Sequence, residues 1–514
     1  MHIGPTNSGK TYKALQKLKG CARGYYAGPL RLLAREIYER FKHEGIRCNL
    51  LTGEEVIDDL DEMGNPAGLT AGTVEMVPMS QYFDVVVLDE IQMMSDADRG
   101  WAWTNALLGA RAREVHLCGE KSILPLVQKI VKMTGDKLVV NEYERLGELK
   151  VENSPLQNGL RGLRKGDCVV AFSKKRILDL KLKIEKDTNL KVAVVYGSLP
   201  PETRIQQANL FNSGAYDVLV ASDAVGMGLN LSIERVIFTT YMKYNGQEMV
   251  ELSSSNIKQI GGRSGRFKVA PTSGGNGNKK QASVGYVTGV SSEVLQAVKK
   301  GISSPIEYLP TAVVWPTDEI CGKIMTQCAP GTQVTTLLET FALEVEKKSQ
   351  KLFTLPELKS RLSNISMFEH MEEIPFFEKL RLSNAPVKDS PMVKKAFVQF
   401  CETIAQRQTR SLLSYPLPFD ILDVRCIDDE KLTLEYYEAL HNIIMVYFWL
   451  SNRYSTYFID QESAHDLKNF CEMIIFEKLD RLKKNPYARR GPPGATMGSL
   501  YKNKPKFLKK NRIS

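Results

Sequence analysis

The sequence predicts an α/β protein. Two tandem doubly wound parallel-sheet domains come first, then a mostly helical C-terminal region and a disordered basic tail. Three observations lead there. Unbroken runs of Val, Ile and Leu recur between amphipathic stretches up to about residue 300. That pattern suits strands covered by helices on both faces. Beyond residue 301 the runs give way to long helical patterns. After Asp480 the chain has no acidic residue and 11 Lys or Arg.

The chain has 514 residues, which allows about three domains at roughly 100–200 residues each. Residues 1–148 make the first expected domain. YYAGPL (25–30), DVVVLDE (84–90) and EVHLCGE (114–120) read as buried strands. Between the first two, Leu32, Leu33, Ile37 and Phe41 recur at helical spacing.

The rhythm restarts across residues 149–300, after a linker near 149–165. DCVVAF (167–172), KVAVVY (191–196), DVLVAS (217–222) and RVIFTT (235–240) read as strands with room for crossover helices. KVAPTSGGNGNKKQAS (268–283) reads as a mobile loop, and VGYVTG (284–289) resumes as strand. Residues 301–480 read as helical, with TTLLETFALEVEKK (335–348) and YYEALHNIIMVYFWLSNRY (436–454) as examples. Residues 481–514 mix Pro, Gly and Lys with few large apolar side chains, a disordered composition.

Composition excludes several classes. With 43% hydrophobic and 25% charged residues, neither wholesale disorder nor a fibrous chain fits. No run of 18 apolar residues occurs, so no transmembrane helix and no membrane insertion are expected. The formal charge of +10 belongs to the tail: without it, 58 basic residues face 59 acidic ones. A nucleic-acid reading must therefore come from motifs. The nine cysteines are scattered without metal-ligand spacing, which argues for free thiols in a reducing compartment.

GPTNSGKT at 4–11 satisfies G-x-x-x-x-G-K-[ST]. Gly4, Pro5, Thr6, Asn7, Ser8 and Gly9 form a loop whose backbone can wrap the phosphates of ATP, at the start of a helix whose amides face them. Lys10 supplies positive charge to the β- and γ-phosphates, and Thr11 offers a hydroxyl to Mg²⁺. The helix that must follow is legible in TYKALQKLK, ended by Gly20. Only His2 and Ile3 stand where a preceding strand is needed, so the chain reads as N-terminally incomplete. The expected first strand is then largely missing, and any targeting segment with it.

DVVVLDEIQ at 84–92 ends an apolar strand in two acids. Asp89 suits Mg²⁺ held through water, and Glu90 suits orientation of an attacking water. In QIGGRSGR at 259–266, Arg263 and Arg266 lie three apart, with Gln259 one turn earlier. Such arginines can reach across a cleft to a γ-phosphate as arginine fingers. In VLVASDAVGMGLNLS (218–232), Ser222 and Asp223 sit where a strand empties, and Gly226 and Gly228 permit close ligand approach. Trp101 and Trp103 flank Ala102; one ring reads as core and the other as an interface ring, with base stacking as the alternative.

These segments, in this order over two α/β repeats, resemble a superfamily 2 helicase with two RecA-like domains. GPTNSGKT, TGEE (52–55), TVEM (73–76), DEIQM (89–93), RGWAWTNALLG (99–109), HLCGE (116–120), YGSLPPETR (196–204), ASDAVGMGLNLS (221–232) and QIGGRSGRF (259–267) are similar to the ATP-dependent RNA helicases of the mitochondrial degradosome. The likeness covers 1–289 closely and thins through the helical region, at LSNAPV (382–387) and YFWLSNRY (447–454).

The resemblance implies ATP hydrolysis with Mg²⁺ (Mn²⁺ as a substitute), 3′-to-5′ translocation, and unwinding of RNA, single-stranded or duplex with a 3′ overhang. It also implies a partner exoribonuclease, and the mitochondrial matrix as location with the nucleus as a second compartment. It assigns ATPase roles to Lys10, Thr11, Asp89, Glu90, Gln259, Arg263 and Arg266, and places Gly228 and Asn230 beside the nucleotide. Pro29, Leu30, Arg31, Thr73, Phe172, Ser173 and Ser222 fall where the RNA backbone is tracked. Ser264 departs from the small Ala commoner there, the 268–283 loop is long, and DEIQ replaces DEAD or DEAH.

Two alternatives stay open. The motor could act on DNA, or on both nucleic acids, since backbone contacts carry no sequence code and RNA is told from DNA by its 2′-OH. Alternatively the chain is an ATP-gated RNA-binding scaffold with little turnover.

Overall fold

A computed structural model describes residues 1–226, 229–245, 248–265, 284–316, 318–329, 331–349, 351–356, 358–427, 429 and 432–481. Gly228, Arg266, the 268–283 loop and the basic tail from residue 482 lie outside the described residues.

The first sheet is built from β1 (His2–Ile3), β2 (Gly24–Gly28), β3 (Asn49–Leu51), β4 (Val56–Ile57), β5 (Leu69–Thr73), β6 (Tyr82–Leu88), β7 (Arg111–Gly119) and β8 (Asn141–Glu142). Their spatial order is β4-β3-β5-β2-β6-β7-β1-β8. All neighbours run parallel except β3 and β4. The two residues ahead of the glycine loop thus suffice for a strand: His2 and Ile3 register against Cys118 and Gly119 on one side and Asn141 and Glu142 on the other.

The apolar run in β6 is explained by its two coats. Val85 and Val87 pack with Ala14, Leu15 and Leu18 of α1 (Lys10–Lys19) and Ile37 and Phe41 of α2 (Arg31–His43). Val86 and Leu88 pack on the opposite face, with Ala102, Trp103 and Ala106 of α3 (Gly100–Gly109) and Leu126, Val127 and Ile130 of α4 (Leu124–Thr134). Successive strand residues point to opposite faces. Full burial of each Val or Leu is worth about 1.5–3 kcal/mol, so neither face tolerates a polar residue.

The second sheet comprises β9 (Leu149–Val151), β10 (Asp167–Val170), β11 (Val192–Val195), β12 (Val218–Ala221), β13 (Arg235–Phe238) and, after the antiparallel hairpin β14 (Met242–Tyr244) and β15 (Met249–Glu251), β16 (Gly285–Gly289). Its order is β11-β12-β10-β13-β16-β9, parallel throughout. Part of the segment read as linker is therefore strand, because Leu149–Val151 completes the sheet edge against β16. Helices α5 (Lys174–Asp187), α6 (Pro201–Asn212) and α7 (Ser254–Gly261) lie in the crossovers, and α8 (Ser292–Ser303) follows the last strand.

The following region is mostly helical, with helices at Val334–Lys348, Pro391–Ala405, Leu434–Ser451 and Gln461–Arg481 among others. Residues Met1–Ala385 form one compact unit and a second begins at Pro386. In the second, Leu434–Ser451 is buried over most of its length, so the aromatic stretch read from sequence is a core helix. Among the described residues no helix is long and apolar enough to cross a membrane.

Candidate nucleotide and RNA site

The glycine loop runs from the end of β1 into α1. Asn7 and Gly9 both take left-handed backbone conformations, at φ +63° and +78°, which curl the amides around a common centre. Lys10 is 7% exposed and its Nζ donates to the Pro5 carbonyl at 3.3 Å. Ser8 Oγ is buried without a hydrogen-bond partner among the described residues. A buried hydroxyl in that condition costs about 1–3 kcal/mol, so the loop is poised for a ligand that accepts a hydrogen bond.

Across from the loop, β6 delivers Asp89 and Glu90. Thr11 Oγ1 donates to Asp89 Oδ1 at 3.0 Å, joining the loop to the acidic strand end. Tyr26 OH donates to Asp89 Oδ2 at 3.0 Å, and the Trp103 indole N–H donates to the Asp89 carbonyl at 2.8 Å. Burial pushes the Asp89 carboxyl well above the usual carboxylate range, and Glu90 adds to the effect; Lys10, Tyr26 and Thr11 oppose it. A nearby divalent cation would relieve that penalty. The donor set of hydroxyl and carboxylate oxygens is the hard-oxygen kind that Mg²⁺ takes.

Glu90 occupies the left-handed region at φ +53°, a strain of about 1–3 kcal/mol for a residue with a side chain. Its carboxylate is held by Gln92 Nε2, which donates at 2.6 Å. Gln92 Oε1 accepts from the Glu120 amide at 3.2 Å. The Glu120 carboxyl is raised by burial and then by Glu90, and it accepts from Ser255 Oγ of the second domain at 3.2 Å.

The second domain supplies Gln259 from α7 and Arg263 from the turn after it. Gln259 lines a cavity of about 310 Å³ together with Gly4, Pro5, Thr6 and Glu120. Arg263 is 4% exposed, and its Nη2 donates to the Gly226 carbonyl. Asn230 is exposed in the loop beyond, where its carbonyl accepts from Asn212.

The residues expected along RNA gather at the carboxyl ends of parallel strands, where open α/β sheets bind ligands. Pro29, Leu30 and Arg31 follow β2, Thr73 ends β5, Phe172 and Ser173 follow β10, and Ser222 follows β12. Gly28 and Thr73 are register partners. Ser173 caps α5 by accepting from the Arg176 amide. Arg31 pairs with Glu54 of its own domain and lies 4.0 Å from Glu202 of the second.

Sequence reasoning missed Tyr26, Gln92 and the polar role of Trp103. Gln92 had a signal, two residues beyond Glu90. Tyr26 had none, because a strand Tyr reads as core. Trp103 is the fully buried ring of the tryptophan pair, and Trp101 packs partly buried against the same core.

Three family models match the chain. The DEXQ-box helicase domain of Suv3 matches residues 1–143, the helicase conserved C-terminal domain 153–268, and the ATP-dependent RNA helicase SUV3 C-terminal domain 434–481. A relative from Saccharomyces paradoxus, "ATP-dependent RNA helicase SUV3, mitochondrial", is 72% identical over 500 residues, 97% of this chain and 67% of that protein. Proteins of the same name from Saccharomyces cerevisiae and Candida albicans are 71% and 41% identical. Those matches cover 97% and 93% of this chain, and 67% of each relative.

Proposed function

This chain belongs to the SUV3 family of ATP-dependent RNA helicases, and from that premise we propose how its residues divide the work. It is an ATP-hydrolysing helicase that acts on RNA. Gly4 through Thr11 cradle the triphosphate, with Lys10 on the β- and γ-phosphates. Thr11 and Asp89 would hold Mg²⁺, which would supply positive charge against that developing on the phosphates. Glu90 orients the attacking water. Gln259 and Arg263 approach from the second domain; Arg266 is assigned the same task, and Gly228 and Asn230 are assigned to the nucleotide.

Pro29, Leu30, Arg31, Thr73, Phe172, Ser173 and Ser222 track the RNA backbone. ATP-driven closure and reopening of the two domains then shifts the strand in the 3′-to-5′ direction. A duplex with a 3′ overhang is unwound, and the freed strand passes to an exoribonuclease. The relatives' names carry the word mitochondrial, and within that organelle the proposed site of action is the matrix, with the nucleus as a second compartment.

The observation that carries this reading is the Thr11–Asp89 hydrogen bond at 3.0 Å. It unites the phosphate loop with the metal-binding acid beside a strained Glu90. The test is steady-state ATPase with matched single strands of RNA and DNA. RNA stimulation well above DNA supports the reading, and equal stimulation makes it a motor on both. Tight ATP-dependent RNA binding without stimulated turnover makes it a scaffold.

A further inference from the structure

Arg145 lies between the two α/β domains, after β8 and before β9. Its Nη1 donates to the Gly262 carbonyl at 2.7 Å and to the Thr6 carbonyl at 3.3 Å. Its Nη2 donates to the Ser264 carbonyl. One planar guanidinium thus joins the phosphate loop to both residues flanking Arg263. Two further contacts run the same way: Asn7 Nδ2 donates to the Gly265 carbonyl at 3.3 Å, and the Leu146 amide donates to the Asn7 carbonyl at 2.9 Å. Gly262 permits the approach, since a Cβ there would sit 2.4 Å from Thr6 Oγ1 and 2.6 Å from the Lys258 carbonyl.

We propose that Arg145 is a positioning residue for ATP hydrolysis, a strut that fixes the Arg263 turn against the phosphate loop. The proposal rests on the reading of Arg263 as the arginine that reaches the γ-phosphate. An arginine finger works only if its backbone is held at a set distance from the phosphates; two domains carry the two halves, so contacts between them set that distance, with Arg145 bonding the turn twice and Asn7 once. Three carbonyls converging on one side chain match the several coplanar donors of a guanidinium. An ammonium cannot span them in one plane. Binding of ADP rests mainly on the first-domain loop, so it should depend on the strut far less than hydrolysis does.

The test is a double-mutant cycle on the full chain, read as RNA-stimulated kcat, with ADP affinity measured alongside. Arg145→Ala is expected to lower kcat at least about tenfold and Arg145→Lys to recover only part of it, with ADP affinity held within about threefold. Arg263→Ala is expected to lower kcat by about 10³-fold or more. The double variant should be no slower than Arg263→Ala alone, because Arg145 acts through Arg263. A general loss of folding would instead multiply the two effects and weaken ADP binding. Multiplied effects, or full activity in Arg145→Ala, overturn the strut. Full activity in Arg263→Ala overturns the finger assignment itself, a separate result.

Discussion

The two α/β domains contribute to the cleft in different ways. In the first, the two acids at the end of β6 are braced within the domain. Asp89 is held by Thr11, Tyr26 and Trp103, and Glu90 by Gln92. In the second, the key side chain sits on a turn, and Arg263 is engaged by the carbonyl of Gly226 in its own domain. The first half is pre-organised, and the second must be presented. On the proposed roles hydrolysis needs both, and domain closure is the event that completes the site.

The sharpest way to break the contrast is at Glu90. Glu90→Gln keeps the shape and the Gln92 contact while removing the carboxylate that orients water. RNA-stimulated kcat should fall by about 10²–10⁴-fold, with nucleotide and RNA binding retained. Turnover at the unmutated rate would mean the braced half does not contain the water-positioning group.

Arg263→Lys probes the presented half. Lysine keeps the charge but loses the planar fork, and kcat should fall at least about tenfold while ADP affinity is unchanged. Loss of ADP binding in that variant would show that the second domain also holds the ground state, and the contrast would fail.

Gly262→Ala tests the approach between the halves with a single methyl. The Lys258 carbonyl 2.6 Å from the new Cβ cannot yield without unwinding the end of α7. We expect a several-fold drop in kcat and a raised RNA requirement, measured by titrating RNA at saturating ATP. An unchanged RNA titration would mean the turn has room to shift.

Legibility in the sequence followed the same divide. The long parallel strands were plain because both faces of β6 and of β10–β13 are covered, which fills most positions with apolar residues; the buried charges Asp167 and Arg235, at the strand starts, pair with each other. Three-residue strands such as Asn49–Leu51 and Leu149–Val151 carry too few residues for any period. In the site, the phosphate loop was legible because its positive-φ positions and its Lys10-Thr11 pair obey local geometry. The bracing of Asp89 was not, because Tyr26 and Trp103 each look apolar in a linear string and reveal a donor only once folded. Arg145 was invisible for a related reason: its partners are backbone carbonyls, which leave no trace in residue identity.

The smallest effect should come from that bracing. Trp103 is fully buried, and its indole N–H is the donor to the Asp89 carbonyl. Trp103→Phe preserves an aromatic ring in the core while leaving a buried carbonyl short of a partner, at about 1–3 kcal/mol, plus a contribution from the smaller ring. Chemical denaturation should show a lower midpoint with an unchanged slope. Asp89 keeps its side-chain contacts to Thr11 and Tyr26, so ADP affinity should move by less than about threefold and kcat by a similar factor. If kcat instead falls as far as in Glu90→Gln while the denaturation midpoint holds, Trp103 sets the position of the acids directly. The first domain would then be tuned by its core rather than merely braced by it.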